Sequence, residues 1–261
     1  MEIKFTNYEY NGKSINIEIS DKKIIGVTGK NKEEFISLIT LEKLNKGQLE
    51  INDIKINKDN IRGYKKKIVF IPLLISTSQT NVMNIMIDYI KRHNLQIKDP
   101  IKKIADSLRI VELEEDILKR HLTTLSLSEK KKLQIAVALL SNPEVFILEE
   151  PFKCLDKQQE KKLYMLFQRI KEQFKKNIII VSEESDTLYK YTNEMYFIKN
   201  DNLVLSGDTK EEYVKVDLLK KHKFSIPEIV EFTYLAKKKK NVKIDYHQDV
   251  RDIIKDIYKH V

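Results

Sequence analysis

The sequence predicts an α/β fold built on a mostly parallel sheet, and three observations lead there. EVFILEEP (residues 144–151) and NIIIVSEE (177–184) are unbroken apolar runs ending in carboxylates, the pattern of strands buried on both faces. Around them lie LSLSEKKKLQIAVALL and KQQEKKLYMLFQRIKEQF, with apolar residues at helical spacing; such strand–helix alternation belongs to parallel sheets. The third observation is GVTGKNKEE (26–34), a glycine turn between the apolar IIGV and the helical FISLITLEKL.

The other elements follow in order. KFTNYEY and INIEI alternate apolar with polar residues and meet near Asn11 and Gly12, which predicts short antiparallel strands in an N-terminal β subdomain. GQLEINDIKI reads as another strand pair, and KKIVFIPLLI as a buried strand ending at Pro72. From about Asn81 to Arg120 the periodicity is helical, with Pro100 separating two stretches. This marks a helical insertion over about residues 76–128. Ser126 with Glu129 three residues on predicts a capping box. MYFIKNDNLVLSG reads as a hairpin, and beyond Gly207 the chain is helical and charged, broken at Pro227. The expected division is a main domain over 1–210 and a C-terminal helical tail over 211–261.

With 41% hydrophobic and 33% charged residues, the chain has the balance of a globular protein with a real core. No apolar run approaches the roughly 20 residues needed to span a bilayer, and the start, MEIKFTNYEY, lacks the apolar stretch of a signal peptide. A single cysteine, Cys154, rules out an intramolecular disulfide and points to the cytoplasm. The formal charge of +9 gathers in lysine runs at 65–67, 130–132 and 237–240. No aromatic residues interleave them as in nucleic-acid sites, so they are read as solvated surface and no nucleic-acid partner is expected. A basic surface also suits a protein beneath an anionic leaflet. The five histidines lie too far apart for metal-ligand spacing.

GVTGKNKEE carries most of the phosphate-loop pattern G-x-x-x-x-G-K-[ST], whose backbone N–H groups cradle phosphates while the Lys reaches the outer ones. Counting from Gly26, Lys32 falls in place, but Asn31 stands where the second glycine belongs and Glu33 where the Ser or Thr belongs. A phosphate site also needs a carboxylate beside the metal. ILEEP supplies Glu149 and Glu150 at a strand's C-terminal end, where open α/β sheets bind ligands. By itself that pair reads equally as helix-capping or surface carboxylates.

In combination these blocks resemble the ATP-binding subunits of ABC transporters, over nearly the whole chain and in order. LSLSEKKKLQIAVALLSNPEVFILEEPFKCLD is similar, without gaps, to that family's signature, Walker B and D-loop block. GQLEINDIKI and MYFIKNDNLVLSGDTKEEY match its flanking hairpins. The tail, HKFSIPEIVEFTYLAKKKKNVKI then DVRDIIKDIY, resembles the C-terminal helices of energy-coupling-factor ATPases. The fold so implied is a P-loop NTPase of the ABC ATPase type.

By resemblance, ATP is held at Gly26, Val27, Thr28, Gly29, Lys30, Asn31, Lys32, Glu33 and Glu34, with Tyr10, or else Tyr8, stacking on adenine. Glu150 takes the catalytic position, and Glu149, with Glu33, the Mg²⁺ side. Leu125, Ser126, Leu127, Ser128 and Glu129 occupy the signature that faces the partner's nucleotide; Asp156 closes the D-loop and Glu183 the switch position. The implied partners are a transmembrane transporter subunit and a second ATPase subunit, at the inner face of the cell membrane.

Departures from the family pattern gather at functional positions. Besides Asn31 and Glu33, Leu73 replaces the Q-loop glutamine, Leu127, Ser128 and Glu129 replace Gly-Gly-Gln, Glu149 replaces Asp, and Glu183 replaces the switch histidine. A carboxylate about 4 Å from one phosphate charge repels it by about 4 kcal/mol at an effective dielectric of about 20. The expectation is a transporter ATPase subunit with impaired hydrolysis, paired with an intact, different one. The alternative is an ABC-fold interaction or regulatory module that hydrolyses nothing.

Overall fold

In a computed structural model of the chain, residues 1–20, 23–30, 32–73, 80–200, 202–240, 245–247 and 250–260 are described. The chain opens with β1 (Ile3–Tyr10), β2 (Lys13–Ile19), β3 (Ile24–Lys30), α1 (Glu33–Ile39), β4 (Gln48–Ile51), β5 (Ile54–Lys55), α2 (Ile61–Lys65) and β6 (Ile68–Ile71). The helical insertion contributes α3 (Val82–Arg92) and α4 (Pro100–Ile110). Then come α5 (Leu127–Leu140), β7 (Val145–Glu149), α6 (Lys157–Phe174), β8 (Asn177–Val181), α7 (Ser185–Tyr191), β9 (Glu194–Lys199) and β10 (Asn202–Asp208). The tail holds α8 (Thr209–Tyr213), α9 (Val216–His222), α10 (Glu228–Lys240) and α11 (Val250–His260).

Two sheets form. The antiparallel one runs β2-β1-β4-β5; the larger runs β10-β9-β3-β8-β7-β6, parallel throughout except for β10 at its edge. The β1–β2 hairpin closes at Tyr10↔Lys13 through Asn11 (φ 48°) and Gly12 (φ 73°). Both central residues have positive φ, the turn whose twist matches its strands. In β7 and β8 the period of two sends alternate residues to opposite faces. Phe146, Leu148, Ile178 and Ile180 pack with the helices; Val145, Ile147, Ile179 and Val181 pack toward the antiparallel sheet and α1. The parallel sheet is thus the shared wall of two cores.

The helical signals hold locally. Asp99 caps α4 by accepting from the Lys102 N–H at 3.0 Å, with Pro100 as the first helical residue, where its missing N–H costs nothing. The expected long helix after the loop is shorter: α1 ends at Ile39, and Leu41 turns into left-handed backbone at φ 60°. From the tail, Tyr213, Val216, Leu219 and Val230 are buried in the same helical core as α3 to α6. No helix among the described residues is long and apolar enough to cross a membrane.

Candidate nucleotide site

The C-terminal edge of the parallel sheet gathers the residues that sequence picked out. There β3 runs toward Lys32, β7 ends at Glu149 with Glu150 next, and β8 ends at Val181 with Ser182 and Glu183 following. The expected turn after IIGV is largely drawn out as strand. β3 pairs with β8 only to Val27↔Val181, but with β9 it continues through Thr28↔Phe197 and Gly29↔Ile198 to Lys30↔Lys199. Gly29 permits this approach: its φ is 123°, and a Cβ there would lie 1.7 Å from the Ile198 carbonyl oxygen. Backbone at 28–30 is therefore engaged along one edge by β9, instead of curling into a ring of phosphate-facing amides. Asn31 lies outside the described residues.

Lys32 stands at the start of α1, and its Nζ donates to the Gly29 carbonyl at 3.1 Å. The same ammonium meets Glu183 Oε1 at 3.6 Å, which sets a carboxylate beside the loop lysine. Lys32 is mostly buried, whereas Glu183 is 58% exposed, and exposed pairs of this kind contribute only about 0.2–1 kcal/mol.

Glu150 is committed inward. Left-handed backbone at φ 45° turns it across to β8, a conformation costing a non-glycine residue about 1 kcal/mol or more. There Oε2 accepts from Ser182 Oγ at 2.7 Å and Oε1 from the Glu183 N–H at 2.8 Å. Its N–H donates to the Val181 carbonyl, and its own carbonyl accepts from Lys131 Nζ at 2.8 Å. Lys131 is only 5% exposed; burial lowers its pKa, opposed by the charges of Cys154, Glu150 and Glu184. Glu149 Oε2 accepts from the Leu73 N–H at 3.2 Å, which ties the Q-loop position to β7.

Other predicted residues separate from this cluster. Tyr10 was expected to offer its ring to adenine; it is 3% exposed and packs edge-on against Phe35, 6.1 Å between centroids. Tyr8, the alternative, is 1% exposed, with its hydroxyl accepting from the Asn45 N–H at 2.7 Å. Neither presents a face for stacking. In an alternating strand, the residue facing the second core must be buried, and both tyrosines face it. Glu33 and Glu34 sit exposed on α1, the latter 3.9 Å from Lys43 Nζ.

The signature residues form the start of α5. Ser126 caps it, accepting from the Glu129 N–H at 3.2 Å, while the Ser126 N–H donates to Glu129 Oε2 at 2.7 Å. The predicted capping box is present, and Arg120 Nη1 binds Glu129 Oε1 at 2.8 Å. Leu125 is buried, Leu127 exposed and Ser128 half-buried. Asp156 likewise caps α6, accepting from the Gln159 N–H at 2.8 Å. Burial pushes the Glu129 carboxyl up, but hydrogen bonds from Ser126 and Arg120 outweigh it and hold it below the usual carboxylate range. A lowered folded-state pKa contributes stability above the unfolded value, lost as pH falls through the folded one. The stability advantage of wild type over Glu129→Gln is therefore expected in full at about pH 6 and to close below about pH 4, measurable as the difference in Tm across an acid titration.

Sequence reasoning missed Ser182 and Lys131. Ser182 lies unremarked within NIIIVSEE, and Lys131 is one of three consecutive lysines. Only the third dimension distinguishes it: it lies on the face of α5 that meets the end of β7.

The charged groups at this edge are engaged with one another. The loop lysine is paired with a carboxylate, and each Glu150 oxygen accepts one hydrogen bond from the end of β8. Glu33 carries no hydroxyl for the metal. Among the described residues no three His, Cys, Asp or Glu approach closely enough to hold a metal ion.

Strand order, carboxylate pair and loop lysine define an ATP-binding cassette. The chain belongs to the ABC transporter family, whose model matches residues 13–153. It is similar to the energy-coupling factor transporter ATP-binding protein EcfA3 of Oenococcus oeni, 26% identical over 260 residues, covering 91% of this chain and 90% of that protein. EcfA2 of Acetivibrio thermocellus is 24% identical, over 96% of this chain and 91% of that protein. In three dimensions it resembles CbiO1 from Clostridium perfringens, part of the CbiONQ ABC transporter complex. The TM-score is 0.71 at 19% identity, over 89% of this chain and 98% of that one; at that identity the likeness speaks for the fold.

Proposed function

We propose that this chain is the ATP-binding subunit of an energy-coupling-factor type ABC transporter that binds nucleotide weakly and does not hydrolyse it at its own loop. It sits at the inner face of the cell membrane against a transmembrane subunit, paired with a different, intact ATPase subunit. The observation that carries this is the closed network at the sheet edge, Lys32 with Glu183 and Glu150 with Ser182. The nature of the partners rests on the relatives, which are energy-coupling factor ATP-binding proteins along nearly their whole length.

Beside β6 lies an apolar groove of about 260 Å³ walled by Val69, Phe70, Ile85, Leu133 and Val137. Phe70 is 36% exposed there. The groove joins the Q-loop strand to the helical insertion and suits a short helix of the transmembrane subunit. Glu149's bond to the Leu73 N–H links this surface to the nucleotide edge.

The test is co-expression of this chain with a transmembrane subunit and an intact ATPase, followed by purification through a tag on this chain. The expected result is a complex containing all three, with the isolated chain showing no turnover. A homodimer hydrolysing ATP at about 1–100 per second, the ordinary range of phosphoryl-transfer enzymes, overturns the proposal.

A further inference from the structure

The opposite, N-terminal edge of the parallel sheet opens on a cleft of about 1030 Å³. It lies where α2, α3, α5 and α6 end and β6, β7 and β8 begin. Two segments far apart in sequence bring cations to it: Arg62, Lys65, Lys66 and Lys67 from one side, Lys175 and Lys176 from the other. Against these six stands a single carboxylate, Glu144, already bound to Lys67 Nζ at 2.6 Å. A local excess of five charges thus sits in one concavity of a chain whose whole excess is nine.

Helix ends account for only part of this. Cations in a last helical turn are favoured by the helix dipole, which covers Arg62 and Lys65 in α2. Lys66 and Lys175 are the C-terminal caps of α2 and α6, the latter left-handed at φ 54°, while Lys67 and Lys176 lie beyond them. Lys176 Nζ reaches Asn142 Oδ1 at 2.9 Å. Burial lowers its pKa; Glu144 opposes this, and Lys103 and Lys67 lower it further. Cations held close enough to disfavour one another's charge are relieved by an anion. The volume is that of a small-molecule site, and one wall is the Tyr89–His93 pair, its rings tilted by 33° with centroids 4.3 Å apart.

We propose that this cleft, formed by residues 62–67 and 175–176 at the N-terminal sheet edge, is a second anion site that binds a polyphosphorylated ligand. Ammonium groups on flexible stems suit phosphate as point charges, and the guanidinium of Arg62 adds a planar fork. One phosphate cannot balance the local excess; a chain of phosphates or a diphosphorylated headgroup can. The source is either a free oligophosphate, nucleotides included, or an anionic lipid.

The experiment titrates the full chain calorimetrically with tripolyphosphate in metal-free, low-salt buffer. In parallel it floats the chain with phosphatidylcholine vesicles with and without cardiolipin. The variants are Lys65→Ala/Lys66→Ala/Lys175→Ala, all exposed side chains, and Lys32→Ala at the other sheet edge. Tripolyphosphate binding is expected to weaken at least tenfold in the triple variant and to change less than twofold in Lys32→Ala. Loss of cardiolipin-dependent flotation in the triple variant, with no tripolyphosphate binding by wild type, also supports the site and assigns its phosphates to lipid. Failure of wild type to bind either anion overturns the proposal. So does a triple variant that binds as wild type does, or binding that disappears in Lys32→Ala.

Discussion

Replacing Glu150 by Gln is expected to leave ATP turnover of the assembled transporter within about twofold of wild type, whereas the same carboxylate-to-amide change at the intact partner's catalytic glutamate lowers it about 10²-fold or more. The difference follows from where each carboxylate points. Glu150 accepts from Ser182 Oγ at 2.7 Å and from the Glu183 N–H at 2.8 Å, so both oxygens are held toward the end of β8 and half of their acceptor capacity is already used. The nucleotide position it would serve also has Glu33 in place of a hydroxyl and Glu183 in place of a histidine. In a head-to-tail pair this chain gives Lys32 and Glu150 to one site and residues 125–129 to the other. In the proposed pairing the second site takes its loop and its acid from the partner and departs from the family pattern only at the signature. Steady-state hydrolysis by the purified complex measures both variants. A drop beyond about tenfold in Glu150→Gln makes this carboxylate catalytic and sinks the asymmetric reading.

The parts of this fold that were legible in sequence are those that local rules decide. The buried runs of β7 and β8, the Asn11–Gly12 turn and the Ser126–Glu129 box need only periodicity and side-chain chemistry, and each lies where it was expected. What was not legible depends on pairing between distant segments. The phosphate-loop pattern placed Gly26 at the start of a turn, but β9 extends β3 to Lys30, a register that only the 194–199 segment can impose. Tyr10 reads as a plausible stacking aromatic until the two sheets face each other; then the alternation that made it a strand residue also buries it against Phe35. For Glu183 the substitution and its sign were legible, but its partner was not. The 3.6 Å approach to Lys32 brings the end of β8 to the start of α1, and that contact turns a missing histidine into a competing charge.

Removing that competition has a defined result. The double variant Glu33→Ser/Glu183→His is expected to bind ATP about a hundredfold more tightly than wild type, on the order of 2.8 kcal/mol by the tenfold-per-1.4 kcal/mol rule. The Lys32–Glu183 pair itself contributes little, because Glu183 is 58% exposed and such pairs are worth about 1 kcal/mol at most. The larger effect is repulsion. A carboxylate held near the loop lysine lies within reach of the phosphates that lysine would bind, at about 4 kcal/mol per charge pair 4 Å apart in a medium of dielectric about 20. Glu33, at the first position of α1, adds a second negative charge and withholds a hydroxyl from the metal. Solvent screening discounts both terms, which leaves an expected gain below their sum. Fluorescent-ATP titration with Mg²⁺ present reads the affinity directly, and Lys32→Ala added to the double variant should return it to the wild-type value or weaker. That reversal ties the gain to the loop lysine instead of to a general loss of negative charge. Affinity unchanged in the double variant would mean that the strand form of residues 28–30, paired to β9 through Lys30↔Lys199, and not charge, keeps phosphate out.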